Sequence, residues 1–315
     1  MNSPIPIILD VDTGIDDAFA LLLAAKHPGL NLLAVSCVDG NCPLVNVVSN
    51  TLSVLETAGR MDVPVLIGAN KPLASESDYA LAVHGTDGLG NLNLSPKSMK
   101  PVDADASEFM KDLILKSAEP ITLIAVAPLT NIALLFQKFP EVKGNIERLV
   151  IMGGSASLGN ATALAEFNIW HDPEAAQIVF SSDVEITMYG LDVFYDVHLS
   201  AIDIRKLQES ELLPARIAGD IGAFIANILG YPITLGDAGA VCAVIDPLGL
   251  KVERFPTAVI TDKGAARGMT VVDRRPYRDT VENERALADS KDVDVALGVD
   301  GARYSKLWLE TILNH

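Results

Sequence analysis

Residues 7–18 run Ile-Ile-Leu-Asp-Val-Asp-Thr-Gly-Ile-Asp-Asp-Ala, so Asp10, Asp12, Asp16 and Asp17 fall within eight positions, between two apolar runs. Like charges this close repel, and a stable fold gathers them only with a counter-charge. The economical one is a hard divalent cation bound through oxygen. The apolar run before Asp10 reads as a core strand and the run after Asp17 as a helix, so the acids mark a strand-to-helix turn. Alternation along the strand points Asp10 and Asp12 the same way at its end. Asp16 and Asp17 fall in the first helical turn, where the backbone dipole favours carboxylates.

The rest of the chain repeats this strand–helix alternation. Strands are expected over Pro6–Leu9, Leu32–Val38, Val63–Ile67, Ile121–Val126, Leu149–Met152, Glu185–Met188, Ala258–Thr261, Met269–Val272 and Val293–Leu297. Helices are expected over Asp16–Lys26, Pro43–Ala58, Ser107–Lys116, Leu129–Phe136, Pro173–Phe180, Ile204–Glu209, Pro214–Leu229 and 300–313. Asp172 is placed to cap the helix that Pro173 begins. Residues 70–103 lack periodicity and are rich in Gly, Ser, Asn and Pro, the mark of a long functional loop. Near-continuous apolar strands alternating with helices predict an α/β fold, a mostly parallel central sheet with helices on both faces. No repeat or linker interrupts the 315 residues, so one domain over 1–315 is expected. Ligands of such sheets bind beyond the carboxyl ends of the strands. Asp10 and Asp12, the 126–131 segment and Gly153-Gly154-Ser155 all fall at that rim.

Composition narrows the partners. A net charge of −17 and the lack of a Lys/Arg stripe disfavour nucleic acid. No apolar run reaches the roughly 18–20 residues that span a membrane, and no basic region precedes an apolar segment at the N-terminus, so the cytoplasm is the expected setting. Cys37, Cys42 and Cys242 are odd in number and lack CxxC spacing, which fits reduced thiols. Cys242 lies in a small apolar run and reads as packing.

The segment Asp10-Val11-Asp12-Thr13-Gly14-Ile15-Asp16-Asp17 resembles the DxDxxxDD signature of nucleoside hydrolases of the inosine-uridine-preferring type. The resemblance continues in order along nearly the whole chain. It takes in Ala127-Pro128-Leu129-Thr130-Asn131, then Met152-Gly153-Gly154, then Asn160 with Glu166-Phe167-Asn168, and Asp237 with Ile245-Asp246-Pro247. His84-Gly85, Asp87-Gly88 and Gly90 resemble the loop that closes over substrate. The resemblance implies a Rossmann-like nucleoside hydrolase fold, a role in purine or pyrimidine salvage, and hydrolysis of a ribonucleoside to free base and ribose. It implies a homodimer or homotetramer. It also implies Ca²⁺ held by Asp12, Asp17, Asp237 and the main-chain carbonyl of Val126, with Asp12 taking the proton of a metal-activated water. Asp16 and Asn168 would bind the ribose 2′- and 3′-hydroxyls with Asn41 nearby, Asn160 and Glu166 would hold the 5′-hydroxyl, and Asp237, His84 and Met152 would also contact the substrate. Taken singly these residues say less: an Asn after a strand is ordinarily a turn residue, and a lone Glu a solvated one.

One position departs from the family pattern. Many purine- and uridine-cleaving members carry a His immediately before the C-terminal metal aspartate, where it helps protonate the leaving base. Gly236 stands there, and glycine donates no side-chain proton. His84 and Tyr231 are the replacements the sequence offers, and His171 reads as a local structural residue. Two other readings are open at this level. A haloacid-dehalogenase-type Mg²⁺ phosphatase also begins with DxDxT, with Asp10 as phosphoryl acceptor, but residues 238–244 lack its second late acid. A catalytically inactive nucleoside- or ribose-binding protein would have little need for the water-activating acids.

Overall fold

The computed structural model describes residues 3–276, 287 and 289–314. In chain order the elements are β1 (Ile5–Val11), α1 (Ile15–Lys26), β2 (Leu30–Cys37), α2 (Leu44–Thr57), β3 (Val65–Ile67), α3 (Leu81–His84), α4 (Ala106–Lys116), β4 (Ile121–Ala125), α5 (Thr130–Lys138), β5 (Ile146–Met152), α6 (Phe167–His171), α7 (Pro173–Phe180), β6 (Ile186–Tyr189), α8 (Leu191–Phe194), β7 (His198–Leu199), α9 (Ala201–Gln208), α10 (Leu213–Leu229), β8 (Ile233–Thr234), α11 (Ala238–Ile245), β9 (Leu250–Val259), β10 (Thr270–Val272), β11 (Lys291–Val299) and α12 (Gly301–Asn314). Nine of these strands form one sheet in the order β10-β9-β11-β6-β5-β4-β1-β2-β3. From β11 to β3 all neighbours are parallel, and only β9 pairs antiparallel, with β10 and β11. The expected α/β architecture is therefore present.

Two apolar cores lie on opposite faces of the sheet, because both faces of its inner strands carry apolar side chains. One gathers Phe19, Leu22, Val54, Ile221, Val241 and Trp308. The other gathers Met110, Ile114, Leu135, Phe136, Val179 and Phe180. On the first face, α12 packs behind α1 and α11. Trp308 is fully buried, meets Phe19 edge-to-face at 5.3 Å and donates from Nε1 to the Phe19 carbonyl at 3.0 Å. The Tyr304 hydroxyl donates to the Asp246 carbonyl at the end of α11 (3.0 Å).

The long segment 70–103 contains α3 and a single bridge between Leu66 and Val102. Strand β9 begins at Leu250, eight residues before the expected Ala258. Its first half, with Lys251, Glu253 and Arg254, is exposed and lacks the apolar signal used to find strands. Helix α11 gives no sign of itself in the sequence, because Gly239, Ala240 and Ala243 leave it no periodic contrast. α6 and α8, of five and four residues, are too short to show a 3.6-residue period. Asp172 caps α7 as expected, accepting from the Ala175 N–H at 3.0 Å. No helix among the described residues is long and apolar enough to cross a membrane.

Candidate active site

Parallel β1, β2, β4 and β5 all end on the same rim, and their following loops face one cavity of about 450 Å³. At the end of β1 the chain turns sharply. The Asp17 carboxylate ties that turn, accepting from the Asp12 N–H (3.0 Å) and the Gly14 N–H (2.9 Å). Loop 38–41, after β2, closes against it. The Asn41 N–H donates to Asp12 Oδ2 (2.7 Å) and its side-chain amide to Asp17 Oδ2 (3.0 Å). Gly40 permits this approach, since a Cβ there would overlap the Asp12 carboxylate. Asp10 is not among the described residues lining the cavity; it braces the neighbouring strands, accepting from the Ser36 hydroxyl and from Asn131 Nδ2 at 2.8 Å.

Asp237, at the start of α11, comes in from the opposite side. Carboxylate oxygens of Asp16, Asp17 and Asp237 lie within 4.8 Å of one another. The sequence assigned Asp12 to this group and Asp16 to the sugar; in the structure Asp16 belongs to the tight triplet. Asp12 lies beside it, fully buried, joined to Asp17 through its own N–H. Among the described residues Asp12 Oδ1 and Asp16 Oδ1 are buried without a hydrogen-bond partner. Burial, reinforced by neighbouring carboxylates, holds the Asp12 and Asp237 carboxyls well above the usual range and Asp17 at about 7. Orphaned acceptors and acids that cannot all ionise together are what an oxygen-seeking cation would relieve, so the donor set fits a hard metal ion. The Val126 carbonyl faces the same cavity and accepts from Asn168 Nδ2 at 3.2 Å, leaving it a second lone pair.

Glu166 is fully enclosed and caps α6. Its oxygens accept from the N–H groups of Asn168 (2.9 Å), Gly154 (2.9 Å) and Ile169 (3.2 Å). Burial nonetheless raises its carboxyl to about 7. The cap fixes Asn168, whose amide also donates to the Met152 carbonyl at 3.1 Å. Asn160 Oδ1 receives the Phe167 N–H (2.9 Å), which folds loop 153–166 over the cavity. His84 is buried rather than at the surface. Its Nδ1 accepts from the Ile15 N–H at 3.1 Å, and burial lowers its basicity. The loop that follows it is organised by Asp87, which accepts from the N–H groups of Leu89, Asn91 and Asn93. Asn50 Nδ2 ties that loop to the acidic turn through the carbonyls of Asp87 and Thr13.

Asp16, Asn41, His84, Val126, Met152, Asn160, Glu166, Asn168 and Asp237 thus all line one cavity, with Asp12 and Asp17 beneath it. Tyr231 is half exposed and is not part of the wall, and His171, the last residue of α6, is buried with Nε2 3.6 Å from Asp39. The remaining wall was not found in the sequence. Its main block is Phe194, Tyr195, Ile225, Leu229, Ile233 and Thr234. These come from α8, the end of α10 and β8, where an apolar residue looks like core whether or not it faces a ligand. Gly236 adopts a left-handed φ of +55°, and a Cβ there would sit 2.9 Å from Phe194 Cζ and 3.0 Å from Asp16 Cβ. The Phe194 ring therefore fills the space above it.

The profile of the inosine-uridine preferring nucleoside hydrolases matches residues 7–306. The chain is 40% identical over 277 residues to a pyrimidine-specific ribonucleoside hydrolase RihA of Shewanella sp. (strain MR-4), covering 85% of this chain and 86% of that protein. It is 37% identical over 292 residues to the RihA of Photobacterium profundum, covering 90% and 94%. Among solved structures it resembles a plant nucleoside hydrolase, PpNRh1, with a TM-score of 0.92, 30% identity and coverage of 99% and 100%. It also resembles a purine-preferring ribonucleoside hydrolase from Gardnerella vaginalis, with a TM-score of 0.86, 28% identity and coverage of 98% of each chain. With the family profile matching residues 7–306 and these RihA relatives 37–40% identical over most of their length, the chain belongs to the inosine-uridine preferring nucleoside hydrolase family.

Proposed function

We propose that this protein hydrolyses the N-glycosidic bond of ribonucleosides to free base and ribose in nucleoside salvage, with a calcium ion held by Asp12, Asp17, Asp237 and the Val126 carbonyl. Ribonucleoside hydrolysis is the activity of the family. The observation that carries the residue-level reading is the convergence of three separate acidic or amide segments, 10–17, 166–168 and 237, on one cavity. Neither the phosphatase nor the inert-binder reading is favoured beside the family match. Calcium is the ion of choice because the donors are all oxygens and the site can leave room for water and sugar hydroxyls. When bound, the ion would lower the pKa of a water and fix the sugar.

The chain's own groups would do the rest. Asp12, immobilised by the Asn41 N–H with one oxygen free, would take the proton from the attacking water. Asp16, Asn168 and Asn41 would hold the ribose 2′- and 3′-hydroxyls, and Asn160 and Glu166 the 5′-hydroxyl. Positive charge develops on the sugar as the base departs, and the surrounding carboxylates stabilise it. His84 and Met152 would border the substrate. The single 1–315 domain, a cytoplasmic setting and a homo-oligomeric assembly belong to the same reading. Three buried, unpaired cysteines support the compartment. The test is ribose release from a panel of nucleosides beside phosphate release from monoesters. Ribose is expected; phosphate without ribose would overturn the proposal.

A further inference from the structure

The cavity is anionic at one end and apolar at the other, and it holds no group placed to hand a proton to the departing base. Among the described residues that line it there is no Lys or Arg. His84 spends Nδ1 as an acceptor from Ile15, so as placed it offers one Nε2–H hydrogen bond and no second proton to give. Both Glu166 oxygens are committed to backbone N–H groups. Asp16 and Asp237 belong to the carboxylate triplet. Gly236 has no side chain, and Phe194 fills the space above it. The polar groups left at the far end are the Thr234 hydroxyl, far too weak an acid, and the hydroxyl of half-exposed Tyr195, which partial burial makes a weaker acid than a free phenol.

Five carboxyl groups, Asp12, Asp16, Asp17, Glu166 and Asp237, lie in or beneath the wall, and no Lys or Arg among its described lining residues offsets those that ionise. Phe194 and Tyr195, whose rings meet edge-on at 5.1 Å and 82°, line the same cavity. Such surroundings suit a cation, which gains from both the carboxylates and the ring faces.

Resting on the hydrolase reading above, we infer that the site accepts ribosides whose base is a cationic ring joined through a quaternary nitrogen, such as N-ribosylpyridinium and N7-methylated purine nucleosides, and turns them over faster than neutral nucleosides. The chemistry balances without an added acid. Water oxygen bonds to C1′, the C1′–N bond breaks, and its electron pair neutralises the ring nitrogen. The water's proton passes to a carboxylate and then to solvent, so a cationic riboside and water give ribose, neutral base and H⁺. A neutral nucleoside must instead expel its base as an anion that collects its proton from water.

The test uses the metal-loaded protein and two pairs, 7-methylinosine against inosine and N-ribosylpyridinium against uridine, scoring ribose after subtraction of spontaneous hydrolysis. Absence of a general acid predicts that kcat for the cationic member exceeds its neutral partner by about a hundredfold, the low end of what such an acid supplies. A neutral nucleoside turned over within about tenfold of its cationic partner would show that a proton is being delivered to the base, and would overturn the inference. Ribose from neutral nucleosides but none from either cationic riboside would overturn it while leaving the hydrolase reading standing. Ribose from no member of either pair would overturn the hydrolase reading itself, and this inference with it.

Discussion

The two ends of the cavity are built on different principles. The end proposed for the sugar is polar and closely braced: Asp12, Asp17, Glu166 and Asn168 are each held by named hydrogen bonds at 2.7–3.2 Å to backbone or amide groups, while one oxygen each of Asp12 and Asp16 has no partner among the described residues. The end proposed for the base is an apolar wall from α8, α10 and β8, with shape but few directional contacts. The first arrangement fixes a geometry, as bond-making at C1′ requires. The second would exclude water and admit a base by size and stacking, which a small change of side chain can retune.

That contrast can be broken in order of expected effect. Asp12→Asn keeps the shape and removes the proton acceptor, so kcat is expected to fall roughly a thousandfold or more with the fold retained by circular dichroism. Wild-type turnover in this variant would remove Asp12 from the chemistry. Dialysis against a chelator should abolish most activity and added Ca²⁺ should restore it; full activity of a verified metal-free sample would refute the metal role. At the base end, Phe194→Ala should raise KM by about tenfold, the cost of about 1.4 kcal/mol of lost ring contact, with a smaller change in kcat. A thousandfold loss of kcat instead would mean that the two ends are not separable.

Two smaller effects probe stability. Burial raises the carboxyls of Asp10, Asp17 and Glu166 to about 7, above the value of about 4 in an unfolded chain. Their contribution is complete below the unfolded value and is lost as pH rises toward 7. The metal-free protein should therefore lose melting temperature between about pH 5 and about pH 7.5 more steeply than the calcium-loaded one; a steeper fall in the loaded sample would contradict this. Gly236→Ala should cost roughly 1–2 kcal/mol in denaturant unfolding, because an L side chain is strained at positive φ. No change would mean that Phe194 and the turn relax freely.

The same contrast explains what could be read from the chain alone. Strands β1, β2, β4, β5 and β6 are almost wholly apolar and announce a buried parallel sheet. The acids of the first turn stood out because burying them is costly and so calls for a reason. Phe194, Ile225, Leu229 and Ile233 carried no such signal: an apolar side chain facing a ligand costs the same as one facing the core. The pairing of Asp16 with Asp17 and Asp237 was equally hidden, because it depends on how α11 meets α1, and α11 has no periodic pattern. His84 looked like a loop residue until the fold supplied the Ile15 N–H that holds it.

The place of Trp308 has a bearing on when the protein comes alive during synthesis. The acidic turn is made first, yet the helix behind it is wedged by an indole whose hydrogen bond to the Phe19 carbonyl spans 289 positions. Tyr304 buttresses the helix of Asp237 from the same segment. A growing chain therefore carries its charged residues for nearly its whole length before the wedge that seats them exists. Capture of the proposed ion would thereby be a late event of translation, and fragments ending before α12 should emerge from the ribosome unable to hold it.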